Sequence, residues 1–179
     1  MFALVVLFVV ALAAGALAGI VGTGSSLLLL PLLVMRYGPR VAVPVMGIAA
    51  VMANVARIAA WWRQIQWRPV LAYSLPGTPA AVLGAPVFTG YGLGGGAFLG
   101  TEAASSLVLY AGKMATFGQF GVLNQMVLLR GFAIGTALMI GPFLARSLVD
   151  RVRPHTYALL IDLVPVAAAA GVFIAAWAH

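Results

Sequence analysis

Asn54 and Arg57 stand three residues apart in a long apolar run, and Gly47 and Ala50 precede them at the same helical spacing, so all four fall on one helix face. That face is small and polar and is expected to turn inward. A guanidinium beside a carboxamide suits a planar or tetrahedral oxyanion such as a carboxylate, sulfite or sulfonate. The alternative is that Arg57 reaches along its stem to the nearby end of the helix and serves as an anchor.

A second candidate is the stretch Gly22, Thr23, Gly24, Ser25 and Ser26, which interrupts an otherwise apolar sequence. Glycines and hydroxyls at that point break a helix where the freed amides need partners. A new helix starting there would offer its N-terminal amides and three hydroxyls to an anion; otherwise the break is a close-packing kink. A third group, Thr101, Glu102, Ser105, Ser106 and Lys113, lies on a later run. Glu102 and Lys113 are separated by about 16 Å along a helix, so each needs a partner elsewhere. Lys113 is expected to flank the same cavity as Arg57. Glu102 reads as a proton-coupling carboxylate, as the counter-ion of a basic residue, or as an interfacial acid near a helix start.

Asp162 lies several residues inside an apolar run and is expected to face protein, with a structural hydrogen bond as its default role. His155 and His179 have no neighbours in metal-ligand spacing, and the absence of cysteine removes thiolate metal sites, so no metal or cofactor is expected. An intramembrane serine hydrolase built on Ser25 or Ser26 would need a facing base, and only His155 is on offer, so an enzyme is not expected.

The elements that must position these residues are transmembrane helices. Of 179 residues, 64% are hydrophobic and 7% charged, and the mean hydropathy is +1.11. Such a chain lacks the polar surface a water-soluble globule needs. At about 20 apolar residues per crossing it holds about six spans, and no room is left for a soluble domain. The net charge of +7 arises from Lys and Arg near the ends of apolar runs, where they anchor helices to headgroups, so no nucleic-acid partner is implied.

The spans are expected at Phe2 to Val21, Val41 to Trp62, Pro69 to Phe88, Ala97 to Phe117, Met126 to Leu144 and Tyr157 to Trp177. Leu27 to Met35 is too short to cross and forms either the second part of a broken first helix or a re-entrant hairpin. Trp61, Trp62, Trp67, Tyr157 and Trp177 mark the span ends. The first run lacks a basic start and is expected to be retained rather than cleaved as a signal peptide. Strands are excluded by the lack of alternating polarity, so the fold class is all-α: a polytopic helical bundle with a broken first helix. The cations give only a weak inside bias, and sidedness stays open.

A weak internal repeat is visible. Arg57 to Trp61 and Lys113 to Phe117 each set a cation four residues before an aromatic, and Gly77-Thr78 with Gly84-Ala85-Pro86 is echoed by Gly135-Thr136 with Gly141-Pro142 at about 57 residues. The chain is expected to form a single domain, 1–179, with residues 1–88 as one repeat and 89–179 as a partial second.

Gly15 to Ser26, running into Leu27 to Pro31, resembles the Gly-rich first-helix motif of the sulfite exporter TauE/SafE family, and Tyr91 to Ser106 with Lys113 is similar to that family's second-repeat segment. The resemblance implies a multi-pass permease of the plasma (inner) membrane that exports small sulfur-containing or organic anions, with Gly22, Thr23, Gly24 and Ser25 in the broken-helix role. Family members usually have about eight spans in two halves, each opening with its own broken helix. Here the second broken helix is missing and the chain looks internally shortened, so the expected partners are a small anion, the bilayer and a second copy that restores the missing element. The competing expectation is a truncated, non-transporting membrane protein or subunit.

Overall fold

In a computed structural model, the described residues are 9–12, 14–16, 19–20, 25–74, 95–149 and 151. Residues 9–12, 14–16 and 19–20 are helical, and the rest form α1 (Ser25–Tyr37), α2 (Pro39–Ala60), α3 (Trp67–Ser74), α4 (Gly95–Gln119) and α5 (Gln125–Val149), with a 3-10 turn at Trp62–Gln64 between α2 and α3. Among the described residues there is no strand, as the sequence requires.

Two of these helices, α2 and Gln125–Arg146 of α5, are long and apolar enough to cross a membrane. The expectation of about six spans is therefore met only in part. The run expected at Ala97 to Phe117 forms the 25-residue α4, but Glu102, Ser105, Ser106 and Lys113 keep its hydropathy low. Most of the spans expected at Phe2 to Val21 and Pro69 to Phe88, and all of the one at Tyr157 to Trp177, lie outside the described residues. So do Asp162, His155 and His179.

The piece expected at Leu27 to Met35 is the 13-residue α1. It ends at Gly38, whose φ of 74° favours a residue without Cβ and whose N–H bonds back to the Val34 carbonyl at 2.9 Å. Pro39 then starts α2 with its φ already set for a helix. Leu29 and Leu33 are fully buried with Val45 and Ala49, so α1 joins the core that α2 organises.

Small residues decide how the long helices meet. A Cβ on Gly131 of α5 would lie 2.7 Å from the Ile48 Cβ of α2, and one on Gly135 would strike Met52. Gly131 pairs with Ile48 and Gly135 with Met52, both in ascending order, so α2 and α5 run parallel. Gly100 lies against Trp61 near the end of α2, whereas Gly47 near its start lies against Met114, so α4 runs antiparallel to α2. Close backbone approach through glycine is how helices associate where lipid is no less apolar than the core. Further contacts fix the ends: Asn124 Oδ1 accepts from the Val127 N–H at 2.9 Å and caps α5, while the Arg130 guanidinium stacks on the Tyr37 ring at 4.2 Å.

Candidate functional site

Antiparallel packing sets the polar face of α2 opposite a polar face of α4. Arg57 Nη1 donates to Glu102 Oε2 at 2.7 Å, and the two side chains are 7% and 12% exposed. One turn back on α2, Asn54 Oδ1 accepts from Arg57 Nη2. One turn onward on α4, the Ser106 hydroxyl donates to Glu102 Oε1 at 2.7 Å. The four side chains form one continuous hydrogen-bonded row across the interface between the two helices.

This decides between the readings open for Arg57 and Glu102. Arg57 is buried and ion-paired, so it does not reach out to the helix end. Glu102 is its counter-ion. A buried ion pair gains little net stability over an apolar pair, because desolvation cancels much of the Coulomb attraction. Asn54 is 1% exposed, and its Nδ2 has no acceptor among the described residues. That leaves a buried donor beside the guanidinium.

Thr101 does not join the row. It is fully buried, and its Oγ1 accepts from the Gln66 N–H at 3.0 Å, tying the turn after α2 to α4. Lys113 stands apart as well. It is exposed on α4, with its ammonium over the Tyr110 ring at 5.0 Å. The helical rise explains the separation: the eleven residues that put Lys113 on the face of Glu102 also carry it three turns toward the opposite end. Ser26 is half-buried on α1, the Ser25 side chain and Gly22, Thr23 and Gly24 lie outside the described residues. Ser106, named with Glu102 from the sequence, lies four residues after it on α4, the helical spacing at which two side chains meet.

The sequence pattern of the Sulfite exporter TauE/SafE family matches residues 7–91. The match supports membership of that family. It covers α1 to α3, including Asn54 and Arg57, and it stops short of α4, so the similarity of Tyr91 to Lys113 to a TauE/SafE second repeat lies outside it. Neither a curated protein nor a solved structure matches the chain. The matched family is one of sulfite exporters, and the two helices long and apolar enough to cross a membrane fit a membrane protein of that kind.

Proposed function

We propose that this TauE/SafE protein is a multi-pass permease of the plasma (inner) membrane for small sulfur-containing or organic anions, sulfite and short sulfonates foremost, and that Arg57 is the group that binds them. The single observation that supports this is the buried Arg57–Glu102 pair next to an unfilled Asn54 donor. A guanidinium can present two parallel N–H groups to a sulfonate or carboxylate, and the Asn54 amide adds a third donor.

The pair also supports a coupling scheme. With Glu102 ionised, Arg57 is neutralised and an incoming anion would leave the site with an uncompensated negative charge, which the low-dielectric surroundings disfavour. When Glu102 takes up a proton, the carboxylate charge disappears and the anion replaces it on Arg57. For a monoanion such as a sulfonate, a carboxylate or hydrogensulfite, the loaded and empty sites then carry the same net charge. Proton and anion are carried together, with Ser106 keeping a partner on Glu102 in both states.

In this reading residues 1–88 supply the guanidinium and residues 89–179 the carboxylate, so each half forms one wall of the path. Gly22 to Ser26 supply docking amides, and Lys113 supplies a cation at the end of the path remote from Glu102. The test is flux of labelled sulfite and a short sulfonate into proteoliposomes holding the purified chain. Saturable flux above that of empty vesicles supports a carrier, and none from well-folded protein refutes it.

A further inference from the structure

At the end of α2 a cavity of about 330 Å³ is lined by Trp61, Trp62, Arg63, Gln64 and Arg146 among others. Arg63 sits in the 3-10 turn after α2, and Arg146 lies in the last turn of α5. Both are exposed, and among the described residues neither is paired with an acid. Among the described residues no carboxylate lines the cavity. Two guanidiniums on one cavity repel each other until an anion lies between them.

The surroundings indicate what kind of anion. Trp62 and Trp67 are 60% and 53% exposed, and their rings meet edge to face at 5.9 Å. Arg68 is exposed beside them. Exposed tryptophans flanked by arginines at the end of an apolar span are the residues expected at headgroup depth. The volume lies at the lower end of the ~300–1,000 Å³ typical of small-molecule sites, more than a bare tetrahedral ion requires.

We propose that this cavity is an oxyanion site for the phosphate of an anionic lipid headgroup, held between Arg63 and Arg146 with the Gln64 amide as a further donor. The guanidiniums can each offer two N–H groups to phosphate oxygens. Free inorganic phosphate has the same oxyanion chemistry, but the exposed tryptophans would contribute nothing to holding it, whereas they can lie against the glycerol and upper acyl chain of a lipid. The site is separate from the Arg57 row and does not depend on transport.

Native mass spectrometry of the full chain released from mixed phosphatidylglycerol and phosphatidylcholine bilayers tests this. The wild-type chain should retain phosphatidylglycerol preferentially. The double variant Arg63→Gln, Arg146→Gln should lose that preference about thirty-fold, as removal of two cations at a lipid surface implies, while Arg130→Gln at the other end of α5 keeps it. Equal retention by the wild type and the double variant would overturn the site. A second arm measures thermal unfolding in neutral detergent with inorganic phosphate. Stabilisation by phosphate without any phosphatidylglycerol preference would overturn the lipid assignment and make a free ion the ligand.

Discussion

Arg57 of α2 and Glu102 of α4 meet at 2.7 Å, 45 residues apart in sequence and both largely withdrawn from solvent. Removing one partner strands a buried charge. Arg57→Gln or Glu102→Leu alone should therefore each lower stability by about 3–5 kcal/mol, whereas the double variant Arg57→Leu, Glu102→Leu should recover most of that loss. Denaturant unfolding in detergent across the double-mutant cycle checks this; additive single losses would show that the groups are not coupled.

Glycine positions on α4 and α5 should respond in opposite directions to alanine. A Cβ on Gly141 would run into the backbone of Gly15, while one on Gly112 meets nothing within 4 Å. Gly141→Ala should cost about 1–3 kcal/mol by forcing backbones apart. Gly112→Ala should be neutral or stabilising by up to about 1 kcal/mol through helix propensity alone. Thermal unfolding of the two variants side by side reads the difference.

Thr101→Val should loosen the turn after α2 without touching the ion pair. The Gln66 N–H loses its acceptor, at a cost of about 1 kcal/mol. Hydrogen exchange is the readout: the amide of Gln66 should exchange faster in the variant, while amides within α2 keep their protection.

Coupling makes a separate prediction for Glu102. With a short sulfonate, whose own charge is constant near neutrality, wild-type uptake should accelerate when the outside is made acidic. Glu102→Gln removes the carboxylate and should leave net uptake insensitive to the proton gradient, with exchange of labelled for unlabelled sulfonate retained. Uptake by the variant that still follows the gradient would remove Glu102 from coupling.

The sequence carried much of this in its charges and apolar runs. Runs bounded by Arg40, Arg63 and Gly38 delimit α2 to within two residues, and the run from Ala97 falls inside α4, because a bilayer demands uninterrupted helix between polar ends. Asn54 and Arg57 could be placed on one inward face from spacing alone. The partner of Arg57 could not. Glu102 and Lys113 share a face of α4, and only the direction of packing, fixed by Gly47 against Met114 and Gly100 against Trp61, brings the acid level with Arg57 and takes the lysine away. Such contacts depend on where small residues meet across helices, which a single chain's periodicity does not encode.

The most direct measurement is sulfite and sulfonate flux by the Arg57→Lys variant in proteoliposomes. Lysine keeps a positive charge near Glu102 but lacks the planar pair of donors that holds an oxyanion. If Arg57 binds the substrate, the wild-type chain shows saturable flux and the variant, reconstituted at equal yield and monodispersity, falls by at least about tenfold, as the loss of one charge-assisted hydrogen bond implies. Flux by Arg57→Lys at the wild-type rate and KM would contradict the assignment and leave Arg57 a structural partner of Glu102.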